Sequence, residues 1–135
     1  MSLASYIGCN RKIPLSPEGS EELIVIGHCF SDKFNRRNVQ KYQFSTPYIY
    51  EVSSDWGIAI SDELNKDSNR EAKEKLIKLC EIMDAYLDEG DFFELYSCWV
   101  GEEQDKRTGE MTLQIGRIDL DTIELPEKTL ARIEK

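Results

Sequence analysis

The chain has 135 residues, of which 40% are hydrophobic and 32% are charged. This composition is typical of a globular protein and excludes a disordered one. The 17 Lys and Arg against 26 Asp and Glu give a net charge of −9, which argues against nucleic acid or an anionic membrane as the partner, because phosphate binding needs concentrated cations. No apolar run reaches the roughly 18 residues needed to cross a bilayer. The length predicts a single domain, residues 1–135.

The cysteines and the N-terminus predict a reducing compartment. Residues 1–6 lack the basic flank and apolar core of a signal peptide. Cysteine occurs at positions 9, 29, 80 and 98, inside predicted strands or on the apolar side of a predicted helix, with no C-x-x-C and no zinc-site spacing. We therefore expect reduced thiols in the core, a cytoplasmic protein and no cofactor.

The first third of the chain predicts strands separated by polar loops. Residues 6–9 form a short strand, and residues 11–22 form a loop that contains two prolines. Residues 23–30 are continuously apolar, which is typical of an interior strand covered on both faces. Residues 31–41 carry four cations and predict a solvated loop or a strand end (Lys33, Arg36, Arg37 and Lys41). This basic stretch either keeps the chain soluble or contacts an anion or an acidic partner.

Residues 42–52 alternate between apolar and polar side chains, as a half-buried strand does. Pro47 cannot donate to a strand ladder and so indicates an edge or a bulge. After a turn at residues 53–55, Trp56, Ile58 and Ile60 repeat the alternation and predict a hairpin partner.

The central region predicts one long helix, from about residue 69 to 89. Ser68 and Glu71 match a capping box, and Gly90 is placed to close the helix in the left-handed conformation. Seven side chains fall on one side of a 3.6-residue period (Ala72, Leu76, Leu79, Cys80, Met83, Tyr86 and Leu87).

The last third predicts a hairpin and a terminal helix. Residues 92–100 form an interior strand, residues 101–110 a polar loop, and residues 111–115 a second strand antiparallel to the first. Pro126 is placed to begin a short helix whose Leu130 and Ile133 face inward. The predicted fold is therefore α+β, a mostly antiparallel sheet of about five to six strands with one long helix packed on a face and a short C-terminal helix.

Several chemistries lack the residues they need. His28 is the only histidine, and it lies in the most apolar run of the chain. Nucleophilic catalysis by a Cys–His pair needs the two side chains close together. Cys29 points to the opposite sheet face from His28 if both are in a strand, although Cys9 or Cys98 could reach His28 from neighbouring strands. The isolated glycines form no phosphate-binding loop.

The end of the long helix breaks a local rule. Carboxylates in its last turn and just beyond it meet the negative end of the helix dipole, at about 0.3–1 kcal/mol each. Ile77 projects off the apolar stripe among Glu74, Glu81, Asp84 and Asp88. It is either an apolar anchor inside a charged rim or a side chain half covered by a neighbouring loop. We therefore predict a binding surface for a basic protein partner, made of Glu74, Ile77, Glu81, Asp84, Asp88 and Asp91.

In size and charge the chain resembles bacterial immunity proteins that neutralise basic toxin domains, a similarity without a sequence motif. It implies an immunity or inhibitor role, in which negative charge steers capture of a positive partner. The polar loop at residues 102–107 either extends the acidic surface or keeps the hairpin soluble. The oligomeric state is left open.

Two further hypotheses belong to other classes. Clustered carboxylates could hold a hard cation in a small metal-dependent hydrolase, either Asp88, Asp91 and Glu94 or Asp119, Asp121 and Glu124. Neither group has the spacing of an EF-hand. Alternatively, an aromatic strand face could line a ligand pocket, although such aromatics are more often ordinary core (Tyr42, Phe44, Tyr48, Tyr50, Trp56 and Trp99).

Overall fold

A computed structural model describes residues 2–27, 33–52 and 56–135. Over these ranges the fold is α+β, with one six-stranded and mostly antiparallel sheet and two helices, which confirms the predicted class and strand number. Neither described helix combines the length and apolar character that a membrane crossing requires. In chain order the elements are β1 (Leu3–Cys9), β2 (Ile26–Gly27), α1 (Lys33–Gln43), β3 (Tyr48–Val52), α2 (Lys66–Tyr86), β4 (Phe92–Trp99), β5 (Gly109–Gln114) and β6 (Thr129–Glu134).

The sheet has the strand order β2-β3-β1-β4-β6-β5. β1 and β4 form its centre and pair antiparallel over the whole of β1, from Leu3 opposite Trp99 to Cys9 opposite Phe93. Among the described strands, β5 pairs with β6 alone, and in parallel. The predicted hairpin between β4 and β5 is therefore wrong, because β6 lies between these two strands.

An apolar cluster lies on each face of the sheet. The larger one contains Ile7 of β1 together with Leu76 and Leu79 of α2. The smaller one contains Tyr6 of β1 together with Val39 of α1. Neighbouring residues of a strand point to opposite faces, so the two clusters lie on opposite sides of the sheet. Each fully buried aliphatic side chain contributes about 1.5–3 kcal/mol.

The long helix exists, but both of its ends differ from the prediction. α2 begins at Lys66 and is capped by Asn65, whose Oδ1 accepts from the Ser68 N–H at 2.7 Å. Ser68 therefore lies inside the first turn, and the predicted capping box is wrong. The helix ends at Tyr86, and Leu87 follows with extended backbone. Gly90 is left-handed, with φ +87°, but belongs to the next turn.

The basic segment is helical where the sequence predicts a solvated loop. α1 covers residues 33–43, and its last residue, Gln43, is buried. The Gln43 Nε2 donates to the carbonyl oxygens of Glu103 at 3.1 Å and Asp105 at 2.7 Å. These contacts are distant in sequence, so local composition does not reveal them. The predicted strand at 42–52 is accordingly shortened to β3.

Two predicted strands on the N-terminal side also change. The described part of residues 23–30 forms only β2, at the edge of the sheet, where an interior strand is predicted. His28 and Cys29 lie outside the described residues, as does the turn at 53–55. The hairpin partner predicted around Trp56 is wrong, because residues 56–59 have no regular structure and Ile60 makes only an isolated bridge to Leu125.

The predicted C-terminal helix is wrong. Residues 129–134 form strand β6, which pairs on one side with β4 and on the other with β5. An isolated helix this short is unstable in water, because nucleation is unfavourable and few hydrogen bonds follow it. The open edge of β4 provides a full set of partners instead. Lys128 enters the strand with a left-handed backbone, φ 60°.

Candidate binding sites beside helix α2

The C-terminus of α2 is stabilised from within the chain. The ammonium of Lys135 donates to the carbonyl oxygens of Asp84 and Leu87, both at 2.8 Å. It also lies 3.4 Å from the Asp84 carboxylate. A cation at this position offsets the negative end of the helix dipole. The predicted binding surface for a basic partner assumes that the carboxylates at the end of α2 have no cation within the chain. At Asp84 this assumption is wrong.

The acids that follow the helix also have partners. Arg11 lies 2.6 Å from the Asp88 carboxylate in an exposed ion pair. The Asp91 Oδ1 accepts from the Asn10 side-chain amide at 3.0 Å and from the Phe92 N–H at 2.8 Å. These contacts connect the end of β1 to the start of β4. Asp88 and Asp91 thus have a structural role in the chain turn.

Three of the six predicted binding residues line a groove of about 430 Å³. Ile77, Glu81 and Asp84 line it, whereas Glu74, Asp88 and Asp91 do not. The side chain of Ile77 is 42% exposed. The opposite wall comes from the segment after β5, and the groove is lined in total by Leu76, Ile77, Cys80, Glu81, Asp84, Ile115, Gly116, Ile118 and Leu120.

The thiol in this groove is chemically quiet. Burial raises the pKa of Cys80 to about 12, and the nearby Asp84 carboxylate adds to the effect. The thiolate is the nucleophilic form, so Cys80 is protonated and unreactive near neutral pH. The groove therefore offers an apolar contact surface without a nucleophile.

A second cavity, of about 470 Å³, flanks the N-terminal half of α2. Trp56 and Trp99 line it, with their ring centroids 5.5 Å apart and their planes at 74°. The predicted aromatic face is thus reduced to these two tryptophans, because Tyr42, Phe44, Tyr48 and Tyr50 do not line the cavity. Both tryptophans belong to the aromatic face that the sequence predicts, but Trp56 lies in an irregular segment where a strand is predicted.

Hydrogen bonds hold the segment that carries Trp56 against the sheet. The Ile58 N–H donates to Ser5 Oγ at 2.7 Å, and Ser97 Oγ donates to the Ile58 carbonyl at 2.7 Å. Ser5 Oγ and Ser97 Oγ are 2.6 Å apart, so the Ser5 hydroxyl proton completes the link. The Gly57 N–H donates to the Leu3 carbonyl at 2.9 Å.

Lys75 also lines this cavity and connects α2 to the segment that carries Trp56. Its ammonium donates to the Trp56 carbonyl at 2.9 Å and lies 3.7 Å from Glu71 Oε1. The residue is 1% exposed. A buried ammonium needs such partners, because the transfer of an unpaired charge from water into the protein interior is very unfavourable. The sequence pattern of α2 does not reveal this role, which depends on the backbone of residue 56.

Neither predicted carboxylate group forms a metal centre. In the described ranges, no three His, Cys, Asp or Glu side chains are grouped so that they could hold a metal ion. Glu94 is buried, and its Oε1 accepts from the Ser45 N–H at 3.0 Å and the Ser45 hydroxyl at 3.1 Å. Asp119 Oδ1 accepts from the Asp121 N–H at 3.0 Å, which closes a local turn.

The loop after β4 is anchored to the fold. Glu103 is 1% exposed, and its carboxylate accepts from the Tyr6 hydroxyl at 2.7 Å and from the Gly101 N–H at 2.9 Å. The carboxylates of Glu102 and Asp105 lie 3.2 and 3.1 Å from the Lys128 ammonium. Hydrogen bonds to these two acids raise the pKa of Lys128. The loop is therefore not a simple extension of an acidic surface.

Comparison with known proteins identifies no relative. No protein-family model matches the chain, and no significant match occurs among curated proteins or solved structures.

Proposed function

We propose that this chain is a non-enzymatic binding protein that engages a basic protein partner through the groove between α2 and residues 115–120. One observation carries the proposal. A half-exposed isoleucine, Ile77, stands in an apolar groove whose rim bears the carboxylates of Glu81 and Asp84. An apolar centre inside a polar rim is the usual anatomy of a protein interface.

The net charge of the whole chain supports a positive partner, although both rim carboxylates already have a lysine partner within the chain. Lys78 lies 4.0 Å from Glu81, and Lys135 lies 3.4 Å from Asp84. Exposed pairs of this kind contribute about 0–1 kcal/mol, so a well-placed partner cation can compete with them. The net charge of −9 adds long-range attraction. An immunity or inhibitor role is the most specific version of this proposal.

Ile77 is the expected anchor residue. It is already in contact with water, so its burial against a partner gains apolar area without unfolding anything. Full burial of an isoleucine contributes about 1.5–3 kcal/mol. The rim charges mainly raise the association rate and select the sign of the partner.

Two synthetic peptides of equal positive charge test the proposal. Both alternate lysine with a second residue, which is leucine in the first peptide and serine in the second. We expect the leucine peptide to shift the methyl NMR signals of Ile77, Ile115 and Ile118, and added salt to weaken its binding. The serine peptide should bind more weakly, because it brings no anchor.

A matched pair of variants distinguishes binding in the groove from nonspecific attraction by the net charge of the protein. Ile77→Asp should weaken binding of the leucine peptide, because it removes the apolar centre of the groove. Leu15→Asp adds the same charge at a side chain that is 56% exposed and does not line the groove. Equal binding by the two variants, or binding unmoved by salt, would refute the proposal.

A further inference from the structure

The cavity at Trp56 and Trp99 is a built pocket, separate from the groove at Ile77. Its volume of about 470 Å³ lies within the range of small-molecule sites. Leu3, Ala72 and Pro126 give it apolar walls. It opens beside the N-terminal half of α2, whereas the groove flanks the C-terminal half.

The two indoles leave aromatic surface available inside this pocket. In an edge-to-face pair, the ring that meets its neighbour with an edge keeps both of its own faces uncovered by that neighbour. Trp56 is 43% exposed, an unusual degree for the largest apolar side chain. An indole face attracts cations through its quadrupole, more strongly than Phe or Tyr.

The ionisable groups of the pocket favour the same sign of ligand. Glu63, Glu71 and Glu127 line it together with a single cation, Lys75. The Lys75 ammonium already donates to the Trp56 carbonyl and lies near Glu71. The lining therefore keeps an excess of negative charge around the tryptophans.

We infer that the Trp56–Trp99 pocket binds a small organic cation, of the alkylated ammonium class. Such a ligand places its positive charge against an indole face and near the carboxylates, while its methyl or methylene groups contact the apolar walls. A hard metal ion is disfavoured, because it requires several oxygen ligands around one point. This inference is independent of the proposed protein partner.

Intrinsic fluorescence reads this pocket directly, because the chain contains only two tryptophans and both line it. The probes are choline and its neutral carbon isostere, 3,3-dimethylbutanol, titrated into the full chain. We expect a saturable change with choline and roughly tenfold weaker binding of the isostere. Added salt should weaken choline binding, because the carboxylates contribute to it.

Variants assign the effect to named side chains. Trp56→Leu should abolish saturable choline binding in an NMR titration, and Glu71→Gln should weaken it several-fold. Phe34→Leu is the control, since this aromatic is 68% exposed and does not line the pocket. Native circular dichroism and a cooperative thermal transition verify that each variant is folded, and Glu71→Gln keeps the test valid should Trp56→Leu be misfolded.

Three results would overturn the inference. The first is no saturable signal with choline at millimolar concentration. The second is equal affinity for choline and its neutral isostere, which would indicate a purely apolar pocket. The third is tighter binding of benzoate than of choline, which would mean that Lys75 dominates the pocket.

Discussion

At position 57 the chain passes so close to β1 that no side chain fits. A Cβ added to Gly57 would lie 2.8 Å from Ser5 Oγ and 2.9 Å from the Leu3 carbonyl oxygen. Both are closer than real Cβ contacts allow, and one is backbone that cannot rotate away. The same approach lets the Gly57 N–H donate to Leu3. Glycine at this residue thus determines where Trp56 stands.

Gly57→Ala should destabilise the fold by about 1–3 kcal/mol, because overpacking displaces the segment from the sheet. Urea unfolding followed by circular dichroism measures the free energy. The tryptophan emission of the folded variant should also shift, since Trp56 moves with the segment.

Gly109→Ala is the matched control for this substitution. A Cβ at Gly109 would meet nothing closer than 3.4 Å, which is ordinary contact distance. We expect a change of less than about 1 kcal/mol there. Equal destabilisation by the two alanines would show that the close approach at residue 57 is not the cause.

At the scale of the element, α2 is bounded by residues outside the helical stripe. Asn65 caps its N-terminus, and Lys135, the last residue of the chain, binds the carbonyls at its C-terminus. The strand β6 brings Lys135 there, where the Lys135 N–H donates to the Asp91 carbonyl and the Gly90 N–H donates to the Lys135 carbonyl. A helix that ends in acids is therefore stabilised by a cation 51 residues away from Asp84.

Lys135→Ala should destabilise the protein by about 1 kcal/mol, because the last carbonyls of α2 and the Asp84 carboxylate lose their cation. Chemical denaturation measures the difference. Hydrogen exchange at the amides of the last turn of α2 should accelerate, since local fraying becomes easier.

Lys12→Ala serves as the control, because Lys12 is an exposed lysine in the loop after β1. Its removal changes the net charge equally but leaves the end of α2 intact. Equal effects of the two alanines on stability and on local exchange would contradict the capping role of Lys135.

At the scale of the whole molecule, buried thiols make the folded state less stable at alkaline pH. Cys9, Cys80 and Cys98 are free and buried, and burial raises the pKa of each above 9.0. In the unfolded chain these thiols ionise near their ordinary value, whereas the folded protein keeps their protons. Raising the pH above about 9 therefore favours the unfolded state, by up to about 1.4 kcal/mol per pH unit for each thiol.

Cys80→Ala isolates one contribution to this dependence. Burial raises the pKa of Cys80 to about 12. The contribution of this thiol to the free energy of unfolding is therefore intact below pH 9 and is lost progressively between pH 9 and about 12. Urea unfolding at pH 8, 9 and 10 should show a shallower loss of stability in the variant than in the wild type. Parallel pH profiles would contradict the raised pKa of Cys80.

Divalent cations should leave the stability of the whole molecule unchanged. Among the described residues, no three carboxylates of the predicted groups are placed to hold a metal ion, and Glu94 and Asp119 already accept hydrogen bonds from within the chain. Without a native-state site, millimolar Mg²⁺, Mn²⁺ or Ca²⁺ gains no binding energy on folding. Thermal melts with each ion and with excess chelator measure this, and a rise of several degrees with one ion would revive the metal hypothesis.

The sequence was sufficient for features governed by short-range periodicity. The 3.6-residue apolar stripe around Leu76 and Leu79 predicts α2, and the apolar run at residues 92–100 predicts β4. Of β1, the sequence predicts only residues 6–9. It was also sufficient to single out Ile77 as an exposed isoleucine among acids. Each of these follows from the side chains within a few positions of one another, because helices and strands repeat on that scale.

Only the tertiary structure decided what depends on distant partners. Residues 129–134 are a strand because β4 offers an open edge, and residues 33–43 are a helix anchored through Gln43 to the loop after β4. Sequence order cannot reveal that Lys135 meets the end of α2 or that Trp56 meets Trp99. Both cavities beside α2 depend on such contacts, since their walls come from segments far apart in the chain.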